Sequence, residues 1–259
     1  MSLTLGPGPL GTQPGGEANY TIDGPKHRLW FQPHPRRIRA EVAGHIVLDT
    51  VHGQLLHESN IPPRLYVPLV DFDRDVLEAT DHTTHCPFKG DASYYSVRVG
   101  DVVRENAVWA YPDPKPKAVW LAPFASLYWD QADAWYEEEE RLPGLRDPYH
   151  RVDVRRTSRP VRVVADDGTD VATSERATLV FETGAPPRFY LPREDVAAEL
   201  VPSAKRSRCP YKGEATYHSV RLGDRLIEDA AWSYEQPLEG AFGARGLVSF
   251  QHDALDVRA

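Results

Sequence analysis

The sequence predicts a mostly β chain: two tandem copies of a small barrel- or sandwich-like β domain with a short connecting helix. Three observations predict it. Residues Cys86 to Tyr111 (CPFKGDASYYSVRVGDVVRENAVWAY) return as Cys209 to Tyr234 (CPYKGEATYHSVRLGDRLIEDAAWSY), with 15 of 26 positions identical at a constant spacing of 123. Internal self-similarity of this kind marks a duplicated structural unit. Short runs rich in β-branched and aromatic residues alternate with turn signals, and 23 prolines and 18 glycines break the chain often, which favours closely spaced strands over long helices. Helical periodicity is weak outside one connector.

Taken in chain order, residues 1–35 are rich in glycine and proline and read as an arm with little core of its own. The opening Met1 to Pro7 lacks the basic-then-apolar order of a signal peptide. The first domain is expected over 36–142. Its candidate strands are Ile46 to Leu48, Leu65 to Val67, Tyr94 to Val99, Ala107 to Tyr111 and Ala118 to Leu121. Gly100-Asp101 is expected to turn a hairpin, with the glycine first. Asp130 to Leu142 (DQADAWYEEEERL) has a helix-compatible composition and is stopped by Pro143-Gly144; its acidic run Glu137 to Glu140 reads as a solvated face.

A linker is expected over 143–158 and a second domain over 159–259. The second domain's candidate strands are Val161 to Val164, Thr178 to Phe181, Phe189 to Leu191, Tyr217 to Leu222, Ala230 to Tyr234 and Leu247 to Phe250. A second matched block, Pro62-Pro63-Arg64-Leu65-Tyr66-Val67-Pro68 against Pro186-Pro187-Arg188-Phe189-Tyr190-Leu191-Pro192, is spaced by 124. So are Gly44 and Gly168, and Glu58 and Glu182. A one-residue length change therefore falls between Pro68 and Cys86, in a loop, because a slip inside a strand would invert its faces.

Composition narrows function. A net charge of −8 opposes general nucleic-acid binding, which needs a basic field to displace counterions. Two cysteines in 259 residues are no disulfide framework and suit a reducing cytoplasm. No apolar run approaches the ~20 residues that span a bilayer, so no membrane association is expected.

Candidate chemistry centres on the repeated motif. Side chains alternate along a strand, which puts Ala92, Tyr94, Ser96 and Arg98 on one face, with Ala215, Tyr217, Ser219 and Arg221 identical in the second copy. The other face varies, ends in aliphatic residues and reads as core. Tyr, Ser and Arg directed from one face suit an anion. The competing reading is a face packed on the domain's own loops, with Arg paired to a carboxylate. Lys89 and Lys212, each before a glycine, either extend that pocket or pair with Glu58 and Glu182. Cys86 and Cys209 lie three residues before these lysines, which lower a thiol pKa. A nucleophile also needs a base, and no histidine is matched within the motif, since His85 faces Arg208 and His218 faces Tyr95; the alternative is a small buried cysteine.

Trp109 with Tyr111 and Trp232 with Tyr234 share a strand face and read as core, with ligand stacking as the alternative. His82, His85 and Cys86 have metal-like spacing, but both histidines are missing from the second copy, so no metal site is expected. A Cys86–Cys209 disulfide would need the copies face to face. Asp71-Phe72-Asp73 is not repeated and reads as a loop or cap.

The phrases Cys-Pro-Tyr-Lys-Gly-x-Ala-x-Tyr, Ala-x-Trp-x-Tyr and Tyr-x-Pro resemble the DUF427 family, a domain of unknown function found singly and in tandem. The resemblance covers nearly all of both copies, including Asp147-Pro148-Tyr149-His150-Arg151-Val152-Asp153, and implies a small, mostly β domain without specifying an activity. The family also carries a nucleotidyltransferase-like label. That chemistry uses a Gly-Ser turn and carboxylates holding two magnesium ions; the chain has no Gly-Ser dipeptide. The expectation is a soluble protein that binds a small polar or anionic metabolite through Cys86, Lys89, Tyr94, Ser96 and Arg98, and again through Cys209, Lys212, Tyr217, Ser219 and Arg221. The alternatives are an enzyme with a Cys or Lys nucleophile and a non-catalytic interaction module. Cofactor and oligomeric state are left open.

Overall fold

The computed structural model describes Asn19 and residues 24–259; most of the glycine- and proline-rich arm lies outside the described residues. The chain divides into two compact units, one ending at Asp147 and the other spanning Pro148–Ala259.

The first unit runs β1 (Leu29–Pro33), β2 (Ile38–Val42), β3 (His45–Thr50), β4 (Gln54–Glu58), β5 (Ile61–Pro68), β6 (Leu77–Cys86), β7 (Gly90–Val99), β8 (Val102–Ala110), β9 (Phe124–Leu127), β10 (Ala134–Glu137) and β11 (Glu140–Arg141). Seven strands form one sheet in the order β1-β4-β5-β9-β8-β7-β6, and four form another in the order β11-β10-β2-β3. Both sheets are open, so the architecture is sandwich-like and not a closed barrel. Strand β1, counted from sequence with the arm, pairs along its whole length with β4.

The second unit runs β12 (Val152–Arg156), β13 (Val161–Ala165), β14 (Asp170–Ser174), β15 (Thr178–Glu182), β16 (Arg188–Tyr190), β17 (Glu199–Cys209), β18 (Gly213–Leu222), β19 (Arg225–Ser233), β20 (Val248–Phe250) and β21 (Leu255–Arg258). Its sheets β12-β15-β16 and β17-β18-β19-β20 are joined by reciprocal backbone hydrogen bonds of 2.8 Å between Leu191 and Val248. With β14-β13-β21 as the facing sheet, this reproduces the strand order of the first unit except for β11, which has no counterpart.

The large sheet of the first unit buries both faces. One packs on the smaller sheet around Ile38, Val47, Leu65, Val97, Val108 and Trp135. The other carries a mostly aromatic cluster with Leu56, Tyr66, Ala92, Tyr94, Trp109 and Tyr111, covered by Ala118 and Leu121. The second unit repeats this with Val180, Tyr190, Ala215 and Tyr234.

Two sequence expectations are corrected. Pro116–Leu121 is no strand but two short 3-10 turns that meet at a kink at Ala118; Pro116 presets φ at the first helical position, and Ala118 and Leu121 are buried on the sheet. Asp130 to Leu142 is no helix: Trp129–Gln131 is a short 3-10 turn and β10 and β11 follow. Tertiary contacts override composition here. Trp135 stacks on Trp129 at 4.5 Å and its indole Nε1 donates to the Trp129 carbonyl at 2.9 Å. The acidic run is not merely solvated: Glu137 is half-buried and pairs with Arg36, and the exposed Glu139 pairs with Arg37 and Arg39.

The repeat mismatch also has a location. Phe72 and Val196 bridge matched positions, Leu48 and Ala172, at a spacing of 124, whereas Leu77 and Leu200 pair with Val97 and Val220 at a spacing of 123. The extra residue therefore lies in the Asp73–Val76 turn. There Asp73 caps the Arg74–Val76 3-10 helix through the Asp75 N–H, the cap role its sequence suggested.

Candidate functional site

The motif Cys-Pro-aromatic-Lys-Gly forms the turn between β6 and β7, and again between β17 and β18. Gly90 has φ +109 and Gly213 φ +101, a region L-residues avoid. A Cβ at Gly213 would lie 3.2 Å from the Gln236 carbonyl, because the chain beyond the third strand of the motif packs against this turn, with Leu238 N–H donating to the Lys212 carbonyl at 3.0 Å. The glycine thus admits the protein's own backbone.

The turn aims lysine inward. Lys89 is 8% exposed, and its Nζ donates to Glu58 Oε1 at 2.6 Å. His27 Nε2 meets the other oxygen of Glu58 at 3.3 Å, and its ring stacks on Phe88 at 3.8 Å. The second copy repeats every part: Lys212 and His150 both engage Glu182, and His150 stacks on Tyr211 at 3.8 Å. Burial raises the Glu182 pKa, but hydrogen bonds from His150 and Lys212 and their charges outweigh it and bring the carboxyl down to about 2. His27 and His150, absent from the candidate residues, are spaced by 123 within Pro25-Lys26-His27-Arg28 and Pro148-Tyr149-His150-Arg151. That phrase was the available signal; it lies outside the motif in which a matched histidine was sought.

The remaining candidates separate. Ser96 lies on the motif strand opposite an irregularity in β8. Its hydroxyl accepts from the Asn106 N–H at 3.1 Å, where Asn106 has φ +52. Ser219 does the same for Asp229, also at φ +52. Arg98 pairs with Glu78 at 2.6 Å and Arg221 with Glu199 at 3.1 Å, all four side chains well exposed. With a strand rise of ~3.3 Å per residue, Arg98 sits ~30 Å of chain from Lys89. The serines and these arginines therefore do not converge with the lysines.

Tyr94 and Tyr217 do stay on the aromatic face, bonded to Thr84 at 2.9 Å and Ser207 at 3.0 Å. Cys86 packs on the aromatic cluster. Cys86 and Cys209 are free and half-buried, and among the described residues neither thiol has a histidine or carboxylate hydrogen-bond partner. His82 and His85 serve elsewhere, on the Tyr94 ring and on Asp91.

Around Lys212 the aromatic face opens into a cleft of about 450 Å³. Trp232 and Tyr234 line it with Tyr217, and three cations, Arg188, Lys205 and Lys212, reach it. The floor is fixed by the Trp232 indole Nε1 donating to the Tyr190 hydroxyl at 3.1 Å. Burial holds the hydroxyls of Tyr190 and Tyr234 above the ordinary tyrosine range, Tyr190 at about 12, so both stay protonated donors. Arg188 lies over the Trp232 ring at 5.4 Å and has no carboxylate partner among the described residues. Lys205 caps the Tyr217 ring at 4.5 Å. Arg188 went unchosen in the sequence because its Pro-Pro-Arg-aromatic-Tyr block lies upstream of the motif.

The first unit carries the same frame: Trp109 Nε1 donates to Tyr66 at 3.1 Å, and Arg64 holds the Arg188 position. It also has a concavity of about 710 Å³ walled by Pro25, Leu29, Phe88 and Pro116. The cations there are lysines on flexible stems, and Lys115 is already bonded to the Pro87 carbonyl.

No group of three or more His, Cys, Asp or Glu side chains is arranged to hold a metal among the described residues, and no helix there is long and apolar enough to cross a membrane. The model of a family described as a domain of unknown function, DUF427, matches residues 30–138 and again 153–259. No curated protein matches the chain.

Proposed function

The chain belongs to the DUF427 family in a tandem two-copy form, and from that premise we propose that it binds a small polar or anionic molecule on the aromatic face of its repeat. The observation that carries this reading is the cleft of the second copy. Three cationic side chains reach a floor of Trp232 and Tyr234, and Arg188 meets no carboxylate among the described residues. Three aromatic rings lie among charged and polar side chains in this concavity, and directed polar groups in a concave site fix the orientation of a small ligand. Glu182 leaves Lys212 with N–H groups to donate, since an ammonium has three. Asp229 is tied to Ser203 and Lys205, and Asp253 lines the cleft, so donors on a ligand also find an acceptor. A reducing, cytoplasmic setting suits two free thiols.

Binding is favoured over catalysis by a cysteine because that chemistry needs an adjacent base, and neither thiol has one among the described residues. The test is calorimetric titration of the full chain with inorganic phosphate and with acetate. Arg188→Ala should weaken binding at least tenfold with an unchanged melting temperature. Unaltered affinity in that variant, or no binding of either anion, overturns the reading.

A further inference from the structure

The two copies differ at several positions of the site, among them Lys205, Asp229 and His252 against His82, Asn106 and Trp129, and one further difference changes what lies on the indole. Tyr128 and Gln251 are structural equivalents, since each donates its backbone N–H at 3.0 Å to a matched carbonyl, Ala107 or Ala230. In the first copy the Tyr128 ring lies against Trp109 at 4.4 Å. It is also within electrostatic reach of Arg64 and Tyr94. Trp109 is left 8% exposed. In the second copy Gln251 is exposed and lines the cleft beside Trp232, Tyr217 and Arg188. Trp232 there is only half-buried.

Tyr128 therefore occupies in the first copy the place that the second leaves open. Its ring is tilted by 40° on the indole, with arginine and tyrosine within electrostatic reach. Indole faces take rings in offset or tilted stacks, and the cations around Trp232 supply the charge complement that a neutral phenol in the first copy does not need. We propose that the second copy binds a flat aromatic ring carrying a phosphate or carboxylate, stacked on Trp232 with its anion at Arg188 and Lys212, and that Tyr128 closes the equivalent site of the first copy. This inference rests on the binding function proposed above and adds the ligand's ring and the inequivalence of the copies.

Pro-inhibitory filling of this kind is reversible by exchange. The experiment is calorimetry of the full chain with phenyl phosphate and benzoate, set against inorganic phosphate and acetate. The expected result is one site per chain and at least tenfold tighter binding of each aromatic anion than of its counterpart. Gln251→Tyr should remove that preference, and Tyr128→Gln should raise the stoichiometry toward two. Equal affinity for aromatic and simple anions overturns the ring while leaving the anion site standing. Two sites in the unaltered chain overturn the closure of the first copy. No binding of any of the four overturns the underlying function and this inference with it.

Discussion

Glu58 and Glu182 each hold a lysine and a histidine beside the motif turn. Taking charges out of water is costly, and such a cluster persists only when its members satisfy one another. The Glu182 carboxyl, brought down to about 2 in the fold, lies below its ordinary value of 4.5. Between those values the unfolded chain binds more protons. The stabilisation is therefore complete above about pH 5 and is lost as pH falls toward 2. Allowing for solvent screening of a partly exposed group, it amounts to ~1–2 kcal/mol. Denaturant melts of the protein and of Glu182→Gln across this range should converge in acid. A constant gap down to pH 2 would contradict the assignment. Sequence reading offered the Lys–Glu pair as one of two alternatives, because both residues kept matched spacing. It passed over the histidines because they lie about 60 residues from the lysines, joined only by the pairing of β1 with β4 and of β12 with β15.

The motif hairpin shows how an element can hold identical residues for reasons of shape. Gly100 turns it with φ +56 as the first of two loop residues, the place that a type II′ turn gives to glycine. Further along, Ser96 and Ser219 secure a left-handed residue on the neighbouring strand. Removing the hydroxyl leaves the Asn106 N–H without its acceptor, which costs ~1–3 kcal/mol. Ser96→Ala should lower stability by that amount while leaving anion affinity intact. Lost affinity at full stability would return Ser96 to the binding site. Alternation by two predicted a shared face for Tyr94, Ser96 and Arg98, and the irregularities between the motif strand and β6 and β8 are what a simple period cannot foresee. The misread helix at Asp130 to Leu142 has the same origin, since its Trp135 answers to a distant core.

At the scale of the molecule, duplication was the most legible feature, and it carried the fold: strand orders that match in all but β11 follow from matched turns and matched core residues. It also concealed the site. Attention to identical positions drew Ser96 and Arg98 forward, whereas the cleft depends on Arg188, outside the motif, and on Gln251, where the copies differ. The most direct measurement is a crystal structure of the full chain grown with tungstate, a phosphate analogue located by its anomalous signal. The binding cleft predicts a peak within hydrogen-bonding reach of Arg188 and Lys212, above Trp232. Tungstate bound only at Arg98 or Arg221, or Arg188 turned away to a carboxylate in that crystal, would contradict it.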